Sequence, residues 1–283
     1  MSTLPAGAGR RCHALLNTLH SVVALSPDNG PELAGLGIDD RHAAYFAART
    51  APLGRVSAGA VTALFHNFSH DLIARHLPAV WNVTTPEEVL AARLRAADST
   101  LRRLLGDEAL ASPELAEAAR LAVRATEGCA RSGRPMYAAL AGLPVPETPH
   151  LALWHAATLL REHRGDGHFA VLLLSGLDPL EAMVSHAATG EGFSLEWLAA
   201  SRGWDMEQLT AAQDRLRARG LLAADGTLTE AGTALRDELE RETDRLDAAP
   251  YEHLGAQDTE RLTELLRPFA RAAAAGFPAR VRG

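Results

Sequence analysis

Apolar residues recur at three- and four-residue spacing along most of the chain, and strand-like alternation is almost absent. Val89, Leu90, Leu94, Ala97, Leu101, Leu104 and Leu105 form one such stripe, with Arg93 set among them. The stripes are punctuated by helix starts in which Ser, Thr or Asp directly precedes Pro, a capping side chain followed by a residue already held at helical φ. Thr85-Pro86 with Glu88 and Asp178-Pro179 with Glu181 have the acid of a capping box, and Ser112-Pro113 and Thr148-Pro149 repeat the cap. The pattern predicts a helical N-terminal half. Gly/Pro-rich stretches at 26–40 and 142–149 read as connections, and the second is taken as the domain boundary. The expected organisation is an N-terminal helical domain over 1–145 and a C-terminal domain over 146–283. The latter divides into a helical segment at 149–190, a distinct unit at 194–247 and a terminal helix at 258–276 that includes the Ala272–Ala275 run.

The 194–247 stretch has its own signature. Ser194 caps a short helix over Leu195, Leu198 and Ala199, Gly203 turns the chain, and Asp205 with Gln208 opens a second helix. That helix has Met206, Leu209, Ala212 and Leu216 on its apolar face and stops at Gly220. Leu221–Ala224 and Thr227–Thr229, joined by Asp225-Gly226, then read as a two-residue β-hairpin before a long amphipathic helix carrying Leu235, Leu239 and Leu246. The expected fold is therefore mostly α, an N-terminal helical domain followed by a C-terminal winged helix-turn-helix with one short β-hairpin wing.

Residues 215–246, RLRARGLLAADGTLTEAGTALRDELERETDRL, resemble the winged helix of MarR-type regulators. Together with YFAARTAPLGRV (45–56), LWHAATLLREHRGDGH (153–168) and RGW (202–204), they resemble a family of actinobacterial helix-turn-helix proteins without a settled activity. The resemblance runs from about His20 to Pro268, and its most distinctive string is Arg161 to His168. In that family an aromatic residue and a proline are usual near His66 and His70, so those two histidines look particular to this chain.

Composition narrows the chemistry. There is no lysine, so all 28 positive side chains are arginine, set against 35 acids for a net charge of −7. Schiff-base catalysis, a lysine-bound pyridoxal group and a Walker A lysine are thereby excluded. Apolar residues at 47% suffice for a packed core, and two distant cysteines, Cys12 and Cys129, do not form a disulfide framework. Without a targeting segment or an apolar run near 20 residues, a soluble cytoplasmic protein with no membrane partner is expected.

For double-stranded DNA the candidate contacts are Arg202, Gln208, Gln213, Arg215, Arg217 and Arg219, since Gln pairs with adenine and Arg with guanine or phosphate. The surrounding charge opposes this: residues 194–245 hold seven arginines against eleven acids, a balance of −4. Non-specific affinity comes from phosphate neutralisation, so a homodimer that doubles these few arginines is expected.

Twelve histidines suggest a second activity. After Thr148-Pro149, helical spacing puts Leu151, His155, Thr158 and Glu162 on one face, with His163 about 80° round the helix from His155. Gly165 is expected to end this helix and Asp166 to cap the next, returning His168 to the same end. His20, His155, Glu162, His163 and His168 are candidate ligand-binding residues. His155, His163 and His168 are candidate ligands of a divalent metal, although their spacing matches no established zinc signature, and buried hydrogen-bonded histidines would give the same pattern. His66 and His70 are spaced i, i+4, but lack the glutamate of a zinc protease. No catalytic residue can be assigned. The favoured expectation is a transcription regulator with a small-molecule or metal pocket. The alternative is an enzyme or ligand-binding protein around His155, Glu162, His163 and His168 that keeps the winged helix as scaffold, and a third is an interaction module.

Overall fold

The computed structural model describes residues 4–277. In chain order its α-helices are α1 (Ala8–Ala24), α2 (Asn29–Ala34), α3 (Arg41–Thr50), α4 (Ala58–Phe65), α5 (His70–His76), α6 (Pro86–Leu110), α7 (Pro113–Thr126), α8 (Pro135–Leu140), α9 (Pro149–Leu174), α10 (Pro179–Ala187), α11 (Leu195–Arg202), α12 (Met206–Ala218), α13 (Glu230–Leu246), α14 (Ala249–Leu254) and α15 (Ala256–Ala274). Three of the starts are full capping boxes, at Thr85 and Glu88, Asp178 and Glu181, and Asp205 and Gln208. Ser112 and Ser194 accept the backbone N–H three residues on. Each device satisfies backbone donors that a helix leaves orphaned at its first turn.

The chain divides into two compact units. The first is drawn from residues 4–55, 79–166 and 246–277, the second from 56–78 and 167–245. In the first, α1 packs lengthwise on α15, and Leu16, Leu19, Leu121, Leu160, Leu262 and Leu266 meet in one core. Ala118, Ala122 and Ala125 on α7 and Ala156 and Ala157 on α9 are fully buried, and their small side chains permit close helix approach. In the second unit α12 packs on α10 and α11, and the turn between α11 and α12 closes over α5. Gly203, at φ +77°, is required there, because a Cβ would fall 2.4 Å from Ser69 Oγ and 2.6 Å from Leu72 Cβ.

Three expectations are corrected. The β-hairpin wing is not formed: among the described residues there is no strand, and 221–229 makes only an isolated antiparallel bridge between Leu222 and Leu228. The arms are too short for a ladder. Asp225 accepts from both the backbone N–H and the hydroxyl of Thr227, Thr229 donates to Gly220 O and caps α13 through Gly232 N, and α13 begins at Glu230. The fold is all-α.

Second, α9 does not end at Gly165 but runs on to Leu174. Asp166 accepts the Tyr137 N–H at 3.0 Å, so it caps α8 rather than a helix of its own. Third, the i, i+4 spacing of His66 and His70 does not place them on one helix. His66, at φ 37°, follows the end of α4, and His70 opens α5.

Candidate functional site

The helix-turn-helix proper is α11, Gly203 and α12. Its interior face buries Leu198, Leu209, Ala212 and Leu216, which leaves Met206, Glu207, Thr210, Ala211 and Asp214 exposed. The arginines expected to meet DNA are engaged within this unit. Arg215 reaches Asp178 Oδ2 at 2.6 Å and Glu181 Oε1 at 3.4 Å, and Arg219 reaches Glu181 Oε2 at 2.8 Å and Gly176 O at 3.2 Å. Glu181 is only 5% exposed, and a buried carboxylate needs counter-charges close by. The acids of the α10 capping box thus have a second role. Arg217 pairs with Asp214 at 2.8 Å. The Arg202 guanidinium lies 4.5 Å from the ring centres of both Phe68 and Trp197. Gln208 accepts from Asp205 N in the capping box, and Gln213 lies near Gly226.

In the first unit, α9 turns a polar face inward. His155, Thr158 and Glu162 are 6%, 1% and 4% exposed. Thr158 shares a 3.0 Å hydrogen bond with His20 Nδ1. Glu162 receives Arg49 Nη2 at 2.8 and 3.1 Å and Arg161 Nη1 at 2.7 Å. Burial opposes ionisation of Glu162, but Arg161 and Arg49 outweigh it and hold the carboxyl down at about 2. Asp166, one turn further along, is pushed up to about 6 by burial, with the nearby Glu162 charge adding to the shift. Arg93 projects from α6 toward the same region and sits 4.9 Å from the Trp154 ring centre. Burial, reinforced by Arg49 and Arg161, lowers it to about 10. His20 is driven well below its ordinary value by burial and the neighbouring arginines, and His155 falls to about 4 through burial and Arg93. Both imidazoles are therefore neutral at pH 7.

The other candidate histidines face different partners. His163 is 1% exposed, bonded through Nδ1 to Asp247 at 2.8 Å, and meets the Tyr137 ring edge-on. Arg134 donates to the carbonyls of His163 and Leu246, and Arg164 stands 3.8 Å from Asp247. His168 belongs to the second unit and shares a 2.9 Å hydrogen bond with Thr243. The structure thus brings His20, His155 and Glu162 into one neighbourhood together with Arg49, Arg93 and Arg161. Arg49 and Arg93 escaped sequence reasoning as site residues. Their signal was position: Arg93 interrupts the apolar stripe between Val89 and Ala97, where a charge must point inward.

An all-α fold with a glycine-turned pair of helices in its second unit defines the class as a helix-turn-helix protein. A family model described as a helix-turn-helix family matches residues 9–278, and the chain belongs to that family. Membership suggests a DNA-binding role. No curated protein and no solved structure matches the chain.

Proposed function

We propose that this chain is a DNA-binding transcription regulator, cytoplasmic and homodimeric, in which α12 meets double-stranded DNA and the first unit receives a small ligand. The observation that carries the reading is the α11–Gly203–α12 pair, whose second helix leaves Met206, Glu207, Thr210, Ala211 and Asp214 exposed. Such a helix enters the major groove by its N-terminal residues. Because Arg215, Arg217 and Arg219 already have acidic partners, each copy neutralises few phosphates, and a second copy is needed for appreciable affinity. No single helix among the described residues is long and apolar enough to cross a membrane.

The test is a gel shift against genomic fragments at low salt, with Ala211→Glu as the control. The wild-type chain is retained with a shallow salt dependence, whereas Ala211→Glu, a surface change on a good helix former, loses retention at unchanged melting temperature. Absence of wild-type retention at low salt would overturn the reading. The commitment of those same arginines favours a second one: a ligand- or metal-binding protein, or an enzyme, that keeps the helix-turn-helix as scaffold. Metal analysis and ligand titrations of the wild type beside His155→Ala decide it: saturable binding that the variant loses supports this reading, and no bound metal and no ligand response remove it.

A further inference from the structure

The buried polar face of α9 has more positive charge than its acids offset. Glu162 accepts from Arg49 and from Arg161, and both its oxygens are engaged. Arg93 makes no ion pair or hydrogen bond with any described residue, and its one contact of note is the face of Trp154. A second acid, Asp166, feels Glu162 and acts on Arg49, but its Oδ2 is occupied by the N-terminus of α8. Arg49, Arg93 and Arg161 therefore gather around Glu162, with Arg93 outside its hydrogen bonds.

The polar atoms left over around Arg93 share one character. Trp154 Nε1 and His155 Nε2 are buried without a hydrogen-bond partner, on residues 5% and 6% exposed. An indole N–H is a donor only, a guanidinium is a donor only, and a neutral imidazole can donate from Nε2. Several other buried side-chain atoms of the described residues also lack a partner, but this pair lies beside a guanidinium that has no ion pair, where a bound water or an oxygen-bearing ligand would satisfy both. Unsatisfied donors beside excess positive charge call for an acceptor that is negative and rich in oxygen. Arg49 and Arg161, with side chains 14% and 31% exposed, join the cluster to solvent.

We infer that Arg93, with Trp154 and His155 and backed by Arg49 and Arg161, forms an oxyanion site in the first unit that takes the carboxylate or phosphate group of a small molecule. This rests on the ligand half of the proposed function and gives that ligand its chemical class. A planar guanidinium fork suits either group by two parallel hydrogen bonds, and the neutral His155 adds a donor without adding charge.

The experiment is a titration of the full chain with inorganic phosphate, acetate and acetamide at constant ionic strength set with sodium chloride. It follows the indole N–H resonance of Trp154, assigned through Trp154→Phe, and the melting temperature. Phosphate or acetate is expected to move the Trp154 resonance saturably and raise the melting temperature, whichever is tighter identifying the group. Acetamide, of the same shape as acetate but uncharged, is expected to do neither. Arg93→Gln should weaken binding at least tenfold with the fold intact, and Arg93→Lys, which keeps the charge and loses the fork, should fall between. The inference is overturned if neither anion gives a saturable shift, or if Arg93→Gln binds as tightly as the wild type. Equal binding of acetate and acetamide would overturn the anion assignment while leaving the first unit as a ligand domain. The DNA-binding reading stands or falls separately, because its gel shift needs no ligand.

Discussion

Replacing Glu162 by Gln tests the electrostatic account of α9 directly. The amide keeps the shape and two hydrogen-bonding positions but removes the charge that Arg49 and Arg161 surround. A carboxyl that titrates at 4.5 when free and about 2 here is favoured as the anion by about 3 kcal/mol. Removing one partner of a buried pair costs about 3–5 kcal/mol in general, which agrees in size. Between pH 4.5 and 2 the unfolded chain binds this proton and the folded chain does not. The contribution is therefore complete above pH 4.5 and lost as pH falls toward 2. Urea unfolding of wild type and Glu162→Gln, followed by fluorescence at pH 7 and at steps down to pH 3, measures it. The variant should be about 3 kcal/mol less stable at pH 7, and the gap should close steadily as the pH is lowered. A difference under about 0.5 kcal/mol at pH 7, the size of an ordinary surface substitution, would refute the reasoning. So would a gap that does not change with pH.

Asp166 has the opposite sign: with its folded value near 6 above the free value of 3.8, it adds stability below pH 3.8 that is lost as pH rises through 6. Asp166→Asn should therefore flatten the stability profile across that window, and potentiometric proton uptake on folding at pH 5 should fall. Glu181→Gln keeps the α10 capping box and releases Arg219 while Arg215 stays on Asp178, so DNA retention should strengthen and the log–log salt slope steepen by up to about 1. An unchanged slope would show that Arg219 does not reach phosphate. Gly203→Ala imposes a Cβ on Ser69 and Leu72 at a φ that L residues rarely adopt. It should destabilise the second unit by about 1–3 kcal/mol in urea unfolding followed at Trp197 and Trp204.

Much of this molecule is local, and local features are legible in a sequence. The capping boxes at Thr85, Asp178 and Asp205 place helix starts because cap and acid lie within one turn of each other. The α11–α12 pair follows from the same devices and Gly203. The hairpin failed on an equally local reading, because Asp225-Gly226 favours a two-residue turn only where the flanking arms have room to pair. Here helix ends at Ala218 and Glu230 consume that room. Gly165 reads as a helix stop because glycine lowers helix propensity, yet α9 runs through it, with Leu160, His163 and Asp166 buried before and just after it and Val171 and Leu172 buried beyond.

The face of α9 that holds His155, Thr158 and Glu162 came from periodicity alone. What surrounds it is a property of the tertiary fold. Arg49 and Glu162 are separated by 113 residues in the chain, His20 and Thr158 by 138, and His163 and Asp247 by 84. No spacing rule reaches across such distances. Charge balance around a buried group is set by whatever helices pack against it. The sequence therefore determined a mostly helical chain with a helix-turn-helix and a polar stripe on α9, but not the loss of the wing. Only packing decided that Arg215 and Arg219 would be tied to Asp178 and Glu181, and that Arg93 would be left over a tryptophan face without an ion pair of its own.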